Sequence, residues 1–268
     1  MAQGDTTSAI TTNDFKVGGI YDGVDDDTLL GNNALNTTFN GLGAVTLCQW
    51  IKATSLTGAD PFSFSKVIHS GSVGAGINLT DDTGQFTIRV GGRALQGDAF
   101  QSHTSTAKYN YDTWVHIVGV INYATDTISL YINGTLEGSS SVTFGATAFV
   151  VGSPSFADAY GSGNGTTVFG KWVMKDVRVY TKALTAAEAA KVYAGKPFTD
   201  SLAHHWPCTE DFKDDVGGVD PTVVGAYIGT FDGQIATAVR DLRVTAADKW
   251  LALGTAGGQI VNINIEEA

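Results

Sequence analysis

Residues 113–138, TWVHIVGVINYATDTISLYINGTLEG, constrain the fold more than any other stretch. Trp114 to Ile121 is an apolar, β-branched run of strand length. Asn122, Tyr123, Ala124, Thr125 and Asp126 then make a turn. In the next segment Ile128, Leu130 and Ile132 alternate with Ser129 and Tyr131. A period of two places alternate side chains on opposite faces of a half-buried strand. Asn133-Gly134 supplies the positive-φ positions of a tight hairpin. The stretch therefore predicts an antiparallel meander, which needs partner strands to bury its apolar face.

The remainder of the chain repeats this idiom. Val45 to Ile51, Phe64 to His69, Gly76 to Leu79, Gln85 to Val90, Phe149 to Gly152 and Phe169 to Tyr180 read as strands. In the last of these, Val173, Val177 and Val179 alternate with polar neighbours that include Asp176 and Arg178. Ser153 to Thr167 reads as a long loop of small and polar residues. One helix is expected, Thr185 to Tyr193, with Thr185 and Glu188 as a capping box and Gly195 and Pro197 as the stop. Glu occurs only at 137, 188, 210, 266 and 267, which suits a chain with little helix. Short strands between glycine-rich turns predict an all-β, antiparallel β-sandwich. With 268 residues the chain has room for a large core. Residues 1–16 read as an N-terminal arm, 17–198 as the sandwich, and 199–268 as a β-rich extension.

The formal net charge is −11 and no basic run occurs, which argues against a nucleic-acid backbone as partner. No stretch is long and apolar enough to insert in a membrane as a helix. The opening MAQGDTTSAITTNDFK lacks a basic segment followed by an apolar core, so no secretory leader is expected. Cys48 and Cys208 read as two buried thiols, although they could also pair.

Five segments, in order, carry a family resemblance: YDGVDDD at 21–27, VTLCQWIKA at 45–53, TWVHIVGVI at 113–121, LYINGTLEG at 130–138 and WVMKDVRVYTKALTAAEAAKVYAG at 172–195. Together they resemble the laminin-G-like, concanavalin A-like jelly-roll domain. The resemblance implies an antiparallel jelly roll with one late helix. A weaker echo lies in the tail. LAHHWPCTEDFKDDVGGVDPTVVG at 202–225, followed by Phe231-Asp232-Gly233, resembles the segment that leads into the opening strand. The tail thus either begins a second copy or supplies an edge strand, to its own sandwich or to a neighbour's.

The resemblance also implies chemistry. Glycan binding is the family's common non-catalytic use, and Phe156, Asp158, Tyr160, Asn164 and Trp172 are the candidate residues. Trp50 and Trp114 recur in strand motifs and are expected in the core. Calcium is the expected cofactor if there is one, at Asp22, Asp25 and Asp176, because similar jelly rolls can share an ion between opening and closing strands. Asp also caps turns by itself. His116 matches a family histidine and is expected to be a hydrogen-bonded packing residue. His204 and His205 are adjacent on a strand, point to opposite faces, and so make a poor shared zinc site. The paired carboxylates of a glycoside hydrolase are absent from any clear strand, so no enzyme is expected. The expected setting is a virus particle, with other virion subunits or copies of itself as partners and possible contact with host-surface glycans. The alternative is a free-standing lectin-like module at a cell surface or outside the cell.

Overall fold

The computed structural model describes residues 17–31, 34–56, 61–69, 72–95, 98–144, 154–156, 170–196, 198–230, 250–254 and 260–264. In chain order the strands are β1 (Val17–Asp22), β2 (Asp27–Leu29), β3 (Ala44–Leu56), β4 (Phe62–His69), β5 (Ser72–Asp81), β6 (Gln85–Gly92), β7 (Gln101–Thr104), β8 (Tyr109–Asn110), β9 (Val115–Asn122), β10 (Thr127–Ile132), β11 (Thr135–Ser141), β12 (Pro154–Phe156), β13 (Gly170–Tyr180), β14 (Leu202–Trp206), β15 (Thr222–Val224), β16 (Tyr227–Thr230), β17 (Trp250–Gly254) and β18 (Ile260–Asn264). Two helices, α1 (Asn36–Phe39) and α2 (Ala186–Tyr193), complete the described elements. The expected strand at 149–152, the N-terminal arm and residues 231–233 lie outside the described residues.

The strands form an antiparallel β-sandwich. One sheet runs β11-β10-β9-β3-β13-β1-β16, with β14 also on β13. The other runs β15-β2-β12-β4-β5-β6-β7, with β8 on β6. β17 and β18 pair with each other. Alternation decides which side chains meet between the sheets. Val45, Leu47, Ile51 and Ala53 of β3 and Ile128, Leu130 and Ile132 of β10 face Ile77 and Leu79 of β5 and Phe86, Ile88 and Val90 of β6. Each of the Val, Leu, Ile and Phe side chains among them stabilises the fold by about 1.5–3 kcal/mol through removal from water. Gly119 marks a close approach of the two sheets, since a Cβ there would stand 2.3 Å from Val90 Cγ2.

The first sheet is covered on its outer face too. Cys48, Val118, Val120, Tyr131 and Tyr180 pack under Leu184, Ala189 and Val192 of α2 and its lead-in. The expected capping box is present: Thr185 N donates to Glu188 Oε2 at 2.8 Å and Glu188 N to Thr185 Oγ1 at 3.4 Å.

Two features complete the picture; the first was not visible in the strand pattern, and the second is one of the alternatives the sequence left open for the tail. First, β13 carries a bulge between Lys175 and Arg178, with Asp176 at φ 53°. The extra residue inverts the alternation. Trp172 and Met174 face the core before it, and Val177 and Val179 face the core after it. Val173 therefore lies on the face opposite Val177 and Val179, contrary to the simple alternation. Second, residues 202–230 lie on both sheets of the same chain: β14 on β13, β15 on β2 and β16 on β1. They also add Trp206 and Phe212 to the core.

Candidate functional site

The outer face of the first sheet holds a cavity of about 470 Å³ beside the C-terminal end of α2. That volume lies within the range of small-molecule sites. Strand register builds its floor: Trp50 of β3 sits between His116 of β9 and Lys175 of β13. Tyr193 leans in from α2, with its ring centroid 5.6 Å from that of Trp50 and 5.7 Å from that of His116. Lys175 Nζ lies 5.1 Å from the Trp114 ring centroid. Trp50, expected in the core, is instead half-buried and lines the cavity.

The polar wall comes from the bulge and the tail. Because of the bulge, Lys175, Asp176 and Arg178 all reach this cavity. Asp176 N donates to Pro207 O at 3.0 Å, which pins the left-handed residue. Asp176 Oδ1 accepts from Arg178 Nε and from His205 Nε2, each at 2.7 Å. Burial alone would raise the Asp176 pKa, but the His205 hydrogen bond and the Arg178 charge outweigh it and hold the carboxylate ionised. Among the described residues no donor reaches Asp176 Oδ2. The site thus offers an oriented carboxylate acceptor beside aromatic faces.

His205 and His204 point to opposite faces, as their adjacency requires. His204 turns inward to Asp214 and Thr38. His116 is a packing residue, but it is not hydrogen-bonded. Both ring nitrogens are buried without a partner, and burial pushes its pKa down to about 4.

Several sequence-level candidates fall elsewhere. Asp176 does not share a site with Asp22 and Asp25. β1 pairs Asp22 with Lys171, five residues from Asp176 along β13, about 16 Å at strand rise. Asp22 and Asp25 instead gather with Asp26, whose carboxylate oxygens lie within 4.8 Å of theirs. Trp172 is 1% exposed and packs between the sheets against Tyr21, so its ring is withdrawn from any surface glycan. Phe156 contributes its backbone to β12, while Asp158, Tyr160 and Asn164 lie outside the described residues. Trp50, Tyr193, Arg178 and His205 were not marked as a ligand site by the sequence. Only the bulge and the tail strand bring them together.

One constellation invites a catalytic reading. His103 bonds Ser140 Oγ at 2.9 Å and Glu137 Oε2 at 3.2 Å. Glu137 Oε1 also accepts from Thr106 N at 2.6 Å and Ala107 N at 3.2 Å. These contacts tie β7 and its following turn to β11, and they occupy the carboxylate as a structural acceptor. In the cavity, Asp176 is the one carboxylate among the described lining residues, whereas paired-carboxylate glycoside hydrolysis needs two.

Residues 22–190 match the laminin G type of the concanavalin A-like lectin/glucanases superfamily, and the chain belongs to that family. Solved structures with the same fold include the native heptameric SAP-like pentraxin from Limulus polyphemus. It is 12% identical with a TM-score of 0.59 over 85% of this chain and 100% of that one. A putative carbohydrate binding protein from Bacteroides ovatus is 15% identical, with a TM-score of 0.58 over 83% of this chain and 62% of that one. The Ruminococcus gnavus IT-sialidase CBM40 bound to α2,3-sialyllactose is 15% identical, with a TM-score of 0.51 over 66% and 96%. No curated protein sequence matches the chain.

Proposed function

We propose that the chain is a non-catalytic carbohydrate-binding protein whose ligand seats in the Trp50–Tyr193 cavity. The observation that carries this reading is the pairing of two aromatic rings with the Asp176–Arg178–His205 network in one cleft. A sugar ring lays its apolar face on Trp50 or Tyr193, and a hydroxyl donates to Asp176 Oδ2. Two structural neighbours support the reading: the Bacteroides ovatus carbohydrate binding protein and the CBM40 bound to α2,3-sialyllactose. The test is a glycan array followed by calorimetry on the best hit. Asp176→Asn, which keeps shape but removes charge, is expected to weaken binding at least tenfold, and Trp50→Ala to weaken it further. Full affinity in both variants overturns the assignment.

The proposal extends to the setting. Several copies on a particle surface, such as a virion, would multiply a weak sugar contact. Cys48 and Cys208 favour manufacture in a reducing compartment, because both are buried and unbonded. Copurification with particles at fixed copy number tests this, and a protein found only free argues against it.

Asp22, Asp25 and Asp26 fit a hard cation such as calcium, which takes carboxylate and carbonyl oxygens. Burial, with help from the Asp22 and Asp25 charges, raises the Asp26 pKa despite its bond from Asp22 N, and a cation would relieve that repulsion. Calcium at about a hundredfold its Kd is expected to stabilise by about 2.7 kcal/mol. A melting temperature that neither calcium nor chelator moves would remove the ion from the proposal.

A further inference from the structure

The Asn133-Gly134 hairpin tip touches the cavity as well as closing its turn. Asn133 brackets the backbone of His116: His116 N donates to Asn133 Oδ1 and Asn133 N donates to His116 O, each at 2.9 Å. That arrangement needs a side-chain acceptor on a left-handed residue, and Asn133 has φ 50°. Gly134, at φ 77°, lies against the root of the Tyr193 side chain. A Cβ there would stand 2.7 Å from Tyr193 Cδ1 and 3.1 Å from Tyr193 Cβ and Cγ. Rotation about χ1 leaves the Cβ contact unchanged, so any side chain at 134 would press on the end of α2.

Tyr193 is not placed by a hydrogen bond of its own. Among the described residues its hydroxyl has no partner. It is 39% exposed, while Ala189 and Val192 of the same helix are buried. Its ring meets Trp50 and His116 at centroid distances of 5.6 and 5.7 Å, and those two rings stand 5.0 Å apart. The three rings thus form a triangle, with Tyr193 the exposed member and His116 the covered one. The tip holds two of its corners, His116 through Asn133 and Tyr193 through the space that Gly134 leaves.

We infer that Asn133 and Gly134 are positioning residues of the cavity, setting through Tyr193 how a ligand meets Trp50. The inference rests on the sugar reading of the cavity, but half of its test needs no sugar. Gly134→Asn adds the Cβ in a residue type that tolerates the left-handed backbone. NMR titration of His116 in the full chain reads the cover over its ring. The pKa of about 4 that burial gives the parent is expected to rise in Gly134→Asn to about 5 or above, toward the ordinary 6.5. Affinity for the best-binding glycan of the array is expected to fall about tenfold, the scale of one aromatic contact. Tyr193→Ala is expected to produce both changes, and Gly134→Asn to add nothing to it, because the ring it would displace is gone. Gly84→Asn, at φ 85° with nothing within 4 Å of its Cβ, places the same change in a turn of the second sheet and is expected to alter neither reading. A His116 pKa that stays near 4 in Gly134→Asn overturns the inference. So does a loss of affinity that Gly134→Asn adds equally to the parent and to Tyr193→Ala. Full glycan affinity in Trp50→Ala and Asp176→Asn, with the His116 change still present in Gly134→Asn, instead overturns the sugar reading while supporting the positioning of the three rings.

Discussion

Asp214→Ala is expected to remove about 3–5 kcal/mol of stability, the cost of deleting one partner from a buried, fully bonded charge network. Asp214 is 7% exposed. Its Oδ1 accepts from the backbone N–H of His205, Val216 and Gly217 at 3.0, 3.1 and 2.9 Å. Its Oδ2 accepts from His204 Nδ1 at 2.6 Å and Val219 N at 3.0 Å. Five donors would lose their acceptor at once. Gly217 completes the arrangement, because a Cβ there would stand 2.1 Å from His204 Nδ1. The loop so gathered fixes β14, and β14 carries His205 into the cavity. Loss of Asp214 should therefore weaken ligand binding along with stability. Urea unfolding measures the first and calorimetry the second, and a variant within about 1 kcal/mol of the parent would refute the network's role.

The same carboxylate gives an acid limit. Burial would raise its pKa, but the His204 bond and the backbone donors prevail and hold it well below the ordinary 3.8. A depressed folded pKa means stability that is complete above the unfolded value and lost as pH falls beneath it. The parent should thus lose this contribution below about pH 3.9, and Asp214→Ala should lack that part of the decline.

These contacts explain what the sequence could and could not show. Ile128, Leu130 and Ile132 announce their face because alternation and burial coincide, and Thr185 with Glu188 announces α2 because a capping box is local. The cavity is not local. Asp176 enters it through a bulge, and one added residue leaves the composition of β13 unchanged while inverting its faces. His205, Pro207 and Thr209 reach it from a segment beyond the region that matches the family. Trp50 looks like core on pattern alone, since its strand is buried on both sides and only the neighbouring helix end leaves its ring accessible. The acidic turn at 22–27 was legible as a cluster, but its distance from Asp176 depends on strand register, which residue type does not reveal.

His116 sets the second large effect, in a different pH window. Its ring is 0% exposed and lies 5.0 Å from that of Trp50, with neither nitrogen hydrogen-bonded. Burial lowers its pKa from 6.5 to about 4; Asp176 opposes the shift and Arg178 adds to it. Between those values the unfolded chain takes up a proton that the native ring refuses. Stability must then fall as pH drops from about 6.5 to 4, by about 3 kcal/mol in all at 1.36 kcal/mol per pH unit. His116→Leu should flatten this segment of the stability profile while leaving the decline below about pH 3.9 to Asp214. At pH 7 two effects oppose each other. Removing two unpaired polar atoms gains about 1–3 kcal/mol. Losing ring contacts with Trp50 and Tyr193 costs about 0.5–1.5 kcal/mol for each aromatic pair. The net change near neutrality is therefore small, and the slope with pH is the decisive quantity. Parallel profiles for the parent and His116→Leu between pH 6.5 and 4 would show that the ring is protonated in the native protein. If instead the slope flattens and sugar binding falls, the histidine is retained as the support that holds Trp50 against the ligand, at the expense of acid stability.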